Sequence, residues 1–340
     1  MNCINCNTKV SAYPLTCKLC AKPLCDTCHS LLKGECKDCN DNKLPQVWRR
    51  SWLSLYDQCP YAAYKTIVEG LESKGNVWSV VGNILHDIFE DASIGKEPLD
   101  YDHLFKRYMG ELGAFREREP EMFTHAQGLI KGCIDTTLKE RGEKSIKTYL
   151  EYESENPNPV STEDKFFFQL DGCPKVSATI DRVNPIGETT DGSDVSGDGI
   201  DLSKFKDVEI VDYKTGKCFY GKKLKEDLQV PVYLLAYKQT TGVLPQRFTF
   251  VFVEEGKTRT FEKVDDDKYV CTVIKKEYVI SLQEATRRIK TTFARAKAGK
   301  WSIPTKINAF YCSNFCDVAK AGQCSGKDNQ QWENLRTMTQ

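Results

Sequence analysis

The sequence carries no net charge: 48 Lys and Arg offset 48 Asp and Glu across 340 residues. This excludes a chain that coats a polyanion by bulk charge and leaves a local basic groove as the way to grip one. No run of about eighteen apolar residues occurs, so no membrane-spanning helix is expected. The opening "MNCINCNTKV" lacks the apolar core of a secretory signal, and the expected compartment is the reducing cytosol. Disulfides are not expected there, so the sixteen cysteines read as metal ligands. The length suits one large domain or two ordinary ones.

The cysteines are unevenly spread. Eight fall in the first 39 residues as CxxC pairs: Cys3/Cys6, Cys17/Cys20, Cys25/Cys28 and Cys36/Cys39. Four such pairs supply two tetrahedral four-cysteine zinc sites, and a segment this short needs the metal to fold. The intervals of ten, four and seven residues between pairs resemble, in the first three pairs, cross-braced FYVE/RING-type fingers. That resemblance implies Cys3, Cys6, Cys25 and Cys28 on one zinc, with Cys17, Cys20, Cys36 and Cys39 on the other. Two consecutive ribbons would pair them in order instead. His29 reads as a spare. Residues 1–50 hold eight Lys/Arg against four Asp/Glu, but two four-thiolate zinc sites at about −2 each cancel most of that excess. Protein docking and nucleic-acid contact both remain open for this module. The organisation expected is a zinc module over 1–40, a linker over 41–50, a catalytic-sized body over 51–330 and a tail over 331–340.

Within the body, residues 51–70 read as helix with a break at Cys59-Pro60. Residues 78–92 place Val81, Ile84, Leu85 and Ile88 on one apolar stripe, with His86 at its margin. A helix pair is expected over 101–117 and 121–147. The pattern then alternates: "KFFFQL" (165–170), an Asp171-Gly172 turn and "KVSATIDRV" (175–183) read as a hairpin. Asp181 falls on the face opposite Val176, Ala178 and Ile180. Residues 186–205 read as a Gly/Asp/Ser-rich loop. Its Asp191, Asp194, Asp198 and Asp201 do not match a calcium loop. "DVEIVDY" (207–213) is a strand, 223–241 a helix with Gln229 and Tyr233 one turn apart, and 247–253 with 257–264 a second hairpin. A long helix is expected over 266–298.

At "IVDYKTGK" (210–217) an apolar strand ends with Asp212 and Lys214 on one face and Tyr213 on the other. The plain reading is a surface ion pair worth about 0–1 kcal/mol. The sharper one is a metal ligand with its charge partner. Asp181, then Asp212-Tyr213-Lys214, then Gln229/Tyr233, with His86 upstream, resembles the PD-(D/E)XK nuclease superfamily in its RecB-like branch, from about residue 50 to 325. The resemblance implies an α/β (α+β) fold, a central mixed sheet flanked by helices of restriction-endonuclease-like type. It also implies phosphodiester hydrolysis assisted by Mg²⁺ or Mn²⁺. Asp181 and Asp212 would be metal ligands, with the Tyr213 carbonyl a further one and His86 adding a nitrogen that favours Mn²⁺. Lys214 would orient water or stabilise developing charge. Gln229 and Tyr233 would position the lysine or the DNA strand. Members of this branch often carry a 4Fe–4S staple, and Cys59, Cys312, Cys316 and Cys324 fall in its positions. Their C-x3-C-x7-C spacing is wider than the usual pattern, and zinc is the rival occupant. Cys133, Cys173, Cys218 and Cys271 read as ordinary thiols. Ala178 stands where the branch often has glycine.

The function expected is a metal-dependent deoxyribonuclease, an exonuclease on single strands or DNA ends in repair, recombination or phage DNA processing. An endonuclease of the same fold, or a non-catalytic zinc-finger adaptor, are the alternatives. Phe219, Tyr220, Lys222 and Lys223 are candidates for gripping a strand. DNA is the expected partner, with a protein partner docked by the zinc module.

Overall fold

The computed structural model describes residues 15–16, 23–24, 44–72, 75–186, 205, 207–302, 304, 312 and 316–324. The eight N-terminal CxxC cysteines, the aspartates Asp191, Asp194, Asp198 and Asp201, and the 331–340 tail lie outside the described residues. Near the N-terminus, β1 (Leu15–Thr16) pairs antiparallel with β2 (Pro23–Leu24).

The body begins with β3 (Val47–Arg49), α1 (Arg50–Gln58) and α2 (Pro60–Ile67). Pro60 breaks the run as the sequence indicates, and Cys59 caps α2 by accepting the Ala62 N–H at 3.4 Å. Helix α3 (Val77–Ser93) starts in a capping box: Asn76 Oδ1 accepts from Trp78 and Ser79 N–H, and Ser79 Oγ accepts from Asn76 N–H. The expected helix pair is three helices, α4 (Tyr101–Arg118), α5 (Pro120–Gly128) and α6 (Ile134–Glu155). Two glycines, Gly128 and Gly132, interrupt the second run. There the Gln127 side chain bridges the gap, donating to the Gly132 carbonyl and accepting from Ile134 N–H.

Strands β4 (Ser161–Gln169) and β5 (Lys175–Pro185) form the expected hairpin, with Gly172 at φ +73° in the turn. β6 (Val208–Lys214) follows. The expected helix over 223–241 is split into α7 (Lys222–Glu226) and α8 (Gln229–Thr241), because Asp227 Oδ1 takes the Gln229 N–H at 2.6 Å. β7 (Arg247–Phe252) and β8 (Lys257–Lys263) form the second hairpin.

The expected helix over 266–298 is a correction. Its first half is a third hairpin, β9 (Lys268–Val273) and β10 (Lys276–Ser281), and only α9 (Leu282–Lys297) is helical. "KYVCTV" and "KEYVIS" both carry β-branched and aromatic residues suited to strands. Their turn places Ile274 and Lys275 at φ +48° and +62°, a tight left-handed turn built without Gly or Asn. A short helix, α10 (Asp317–Lys320), is the last described element.

The sheet runs β10-β9-β8-β7-β6-β5, with β4 and β3 both paired to β5. It is mixed: β6–β7 and β3–β5 are parallel and the other pairs antiparallel. One face buries Val208, Ile210 and Phe250 against α8, α9 and α1. The other buries Val211, Tyr213 and Val251 under α3, α4 and α6. This helix-sheet-helix sandwich is the fold class that the sequence implies. No helix among the described residues is long and apolar enough to cross a membrane.

Gly142 of α6 packs closely against α4. A Cβ there would sit 2.1 Å from the ring of buried Tyr108, whose hydroxyl donates to the Leu138 carbonyl at 2.8 Å. Gly142→Ala is expected to lower stability by about 1–3 kcal/mol, as overpacking does. That outweighs the helix-propensity gain of up to about 1 kcal/mol. Urea denaturation checks it, and a midpoint at or above wild type would contradict this packing.

Candidate functional site

The central feature is a fork. β5 pairs with β6 only from Arg182↔Val211 to Pro185↔Val208. Its N-terminal end leaves β6 and pairs with β3 instead, at Trp48↔Val176. Asp181 and Asp212 are the residues at which the two strands part. The ladder is missing there, so the backbone N–H of Tyr213 donates to Asp181 Oδ2 at 2.8 Å. The N–H and C=O of a strand residue point to the same side, so the Tyr213 carbonyl also faces the fork.

Asp212 is 2% exposed and Lys214, on the same strand face, stands over it with Nζ 2.5 Å from Oδ2. Gln229 Nε2 donates to Asp212 Oδ1. The expected positioning residue Gln229 thus holds the carboxylate rather than the lysine. Tyr233 is buried one turn along α8, and burial raises its hydroxyl well above the usual range, with Asp212 and Asp181 adding to the rise. Arg50 at the start of α1 acts in the other direction on the same hydroxyl, which brings α1 into the site.

From the opposite layer α3 presents His86, with Nδ1 3.5 Å from Asp181 Oδ2 and 3.8 Å from Glu163 Oε1. Gly82, one turn earlier, lets the end of β6 close on the helix: a Cβ there would lie 2.9 Å from Thr215 Oγ1. Glu163 is the site residue that the sequence reading missed. It sits on β4 at φ +51°, a left-handed conformation that costs a non-glycine residue energy. The β4–β5 register, Thr162↔Arg182 and Asp164↔Ile180, sets it opposite Asp181. That register follows from Gln169↔Lys175 across a five-residue loop; a two-residue Asp171-Gly172 turn would have set Glu163 opposite Ile180 instead.

The ligand atoms of His86, Glu163 and Asp181 lie within 4.8 Å of one another, so this group could hold a metal ion. Two observations fit a divalent cation. Glu163, Asp181 and Asp212 against Lys214 leave a charge of −2 when His86 is neutral. Asp212 Oδ2 is buried, ion-paired and without a hydrogen bond, so it has a lone pair to give. Protons take part of the cation's place. Burial, and then Asp212, push the Asp181 carboxyl upward. Burial pushes the His86 imidazole down, but Asp181, Glu163 and Asp212 outweigh it and raise it to about 9.

The four cysteines assigned to a second centre are brought together. Cys59, Cys312, Cys316 and Cys324 pack around Ala62 and Val318. Burial, and then Cys316, Cys59 and Cys324, push the Cys312 thiol up to about 11. Cys218 and Cys271 are buried in the core, Cys173 is half-buried and Cys133 is exposed. Of the strand-gripping candidates, Phe219 is packed edge-on against Phe250 and Phe252, with Lys223 Nζ 3.9 Å from its ring centre. It closes the core rather than offering a free stacking face. Tyr220 is exposed beside Arg259.

Metal must displace the protons on Asp181 and His86, so affinity should rise with pH, by up to about tenfold per unit for each proton released. Calorimetric Mn²⁺ titration between about pH 6 and pH 9 checks this, with proton release read from buffers of different ionisation enthalpy. His86→Ala should flatten the slope at the upper end. A Kd constant across that range in the wild type would contradict the assignment.

No curated protein matches the chain. A family model described as the PD-(D/E)XK nuclease superfamily matches residues 50–321, a span that takes in the fork, both flanking helical layers and three of the four clustered cysteines, Cys59, Cys312 and Cys316. With the mixed sheet and its paired carboxylates in place, that match over most of the length carries a family assignment: the chain belongs to the PD-(D/E)XK nuclease superfamily, whose chemistry is phosphodiester hydrolysis.

Proposed function

We propose that the chain is a metal-dependent deoxyribonuclease acting on single strands or DNA ends, and that its active site is the fork between β5 and β6. The observation that carries this reading is the grouping of His86, Glu163 and Asp181 at one partly exposed point of the fork, with the Asp212–Lys214 pair on the adjoining strand. His86, Glu163, Asp181 and Asp212 would hold Mg²⁺ or Mn²⁺, the imidazole favouring Mn²⁺. When bound, such a cation polarises the phosphate and lowers the pKa of an attacking water. The residues do the remainder. Gln229 fixes one oxygen of Asp212, and Lys214 pairs with the other, which a bound cation would share. Lys214 holds a positive charge beside it, where it can orient the water or stabilise charge developing on the phosphate.

A trough of about 1520 Å³ opens beside this point, starting at Thr215, Gly216 and Lys217, the residues that follow Lys214. Arg49, Arg50, Trp52, Trp78, Arg141 and Lys217 line it. Arg49 lies over Trp52 and Arg141 over Trp78 at 5.7 and 5.3 Å. Cations interleaved with indoles suit a single strand, whose phosphates need charge and whose bases need flat apolar faces. The volume exceeds the range of about 300–1,000 Å³ typical of small-molecule sites.

The far wall of the trough includes Cys316 and Val318. We assign Cys59, Cys312, Cys316 and Cys324 to a 4Fe–4S cluster that staples the chain's end to α2. The packing of all four cysteines around Ala62 and Val318 supports a four-thiolate centre there. The N-terminal CxxC pairs would carry two structural zinc ions.

The test is cleavage of end-labelled single- and double-stranded DNA by anaerobically purified protein with Mn²⁺ or Mg²⁺. Asp212→Ala and Lys214→Ala should each lower kcat by about 10²-fold or more, and chelator should abolish cleavage. Wild-type rates in both variants would remove the fork as the active site. Elemental analysis should find iron with acid-labile sulfide, lost in Cys316→Ser. Zinc alone, without iron, would reassign the cysteine centre.

A further inference from the structure

Behind the fork lies a second buried constellation. Arg182 follows Asp181 and is fully buried. Its Nε donates to Asn184 Oδ1 at 2.6 Å, and its two terminal nitrogens donate to Glu153 Oε1 and to the Asn156 carbonyl at the end of α6. Glu153 Oε1 also accepts from the Tyr213 hydroxyl at 3.1 Å and from Ser93 Oγ at 3.4 Å. One carboxylate oxygen on α6 therefore gathers β5, β6 and α3. Each element it gathers carries a residue of the site: Arg182 adjoins Asp181, Tyr213 stands between Asp212 and Lys214, and Ser93 ends the helix that bears His86.

A buried ion pair is a poor device for stability alone, since apolar residues of the same volume often serve as well or better. What favours a further role is where the bonds converge. Beyond Arg182↔Val211 no ladder holds β5 and β6 at a fixed separation. Arg182 belongs to that last pair and Tyr213 lies just beyond it on β6, and both are tied to the same oxygen.

We propose that Arg182, Glu153 and Tyr213 are positioning residues that set the gap between β5 and β6, and through it the metal affinity of the His86, Glu163, Asp181 and Asp212 group. The proposal rests on the reading of that group as a metal site. Metal ligands are oriented by the groups around them, and removing such supports costs affinity even where every ligand stays. Here the support acts through the backbone: the Tyr213 side chain is pulled to α6 while its N–H reaches Asp181.

The test is Mn²⁺ binding to the full chain by calorimetry, with no DNA present, alongside thermal unfolding and steady-state kinetics. Tyr213→Phe removes only the hydroxyl and keeps the ring among Phe89, Tyr149 and Tyr152, 5.6, 5.6 and 5.9 Å away, so it should fold. It is expected to weaken Mn²⁺ binding about 10-fold and to lower kcat with KM for DNA unchanged, while the metal-free Tm stays at the wild-type value. Glu153→Gln should weaken Mn²⁺ binding further. If Tyr213→Phe binds Mn²⁺ with the wild-type Kd, whatever its Tm, the network is only structural and the proposal falls. Asp212→Asn separates the two levels. A loss of Mn²⁺ in Asp212→Asn beside wild-type affinity in Tyr213→Phe removes the positioning role alone. Wild-type affinity in Asp212→Asn removes the metal site beneath it.

Discussion

Two carboxylates held side by side out of water repel one another, and the rest of this structure is organised around keeping Asp181 and Asp212 in that position. Each would be costly to bury alone. Lys214 and Gln229 share the oxygens of Asp212, and the Tyr213 N–H, freed by the missing ladder, takes Asp181. These bonds do not cancel the charge. Glu163 and His86 are added from β4 and α3; burial and then the neighbouring carboxylate raise Asp181, and the surplus negative potential raises His86 against its own burial. A protein that ties so many polar groups to one point gives up stability for a field that attracts a cation.

The two-layer architecture makes that point reachable. The face bearing α8 supplies Gln229 and Tyr233, the face bearing α3 supplies His86, and the fork is where the sheet between them opens. Glu163 adopts a left-handed backbone within a strand, and Gly82 gives up a side chain so that Thr215 can close on α3. Past the end of β6 the trough carries the same chemistry outward to the cysteine-bearing end of the chain. There the Tyr61 hydroxyl donates to the Gln323 carbonyl at 2.8 Å, a further tie between α2 and residues far along the sequence.

Much of the site was legible in the sequence because it rests on local rules. Alternation places Asp212 and Lys214 together, an Asp-Gly pair marks the β4–β5 hairpin, and helical spacing sets Gln229 and Tyr233 on one side of α8. What escaped depends on long-range pairing or on side chains replacing the usual signals. Glu163 lies in "STEDK", a polar stretch whose meaning comes from its register against Asp181. The β9–β10 hairpin was hidden because Ile274 and Lys275 make a turn that normally calls for Asn or Gly. The break before Gln229 comes from one Asp227 side chain. Phe219 reads as a stacking residue in sequence, and only the neighbouring strand shows that Phe250 and Phe252 claim it.

The central claim is that the fork holds a divalent ion between the two helical layers. Anomalous diffraction from crystals soaked in Mn²⁺ tests it most directly. The expected result is a peak bounded by His86, Glu163, Asp181 and Asp212, at ligand distances of roughly 2.0–2.3 Å. Lys214 should stand beside that peak without touching it. A fork empty at saturating Mn²⁺, or a peak confined to other carboxylates such as Asp87 and Glu111 on the outer helices, would contradict it.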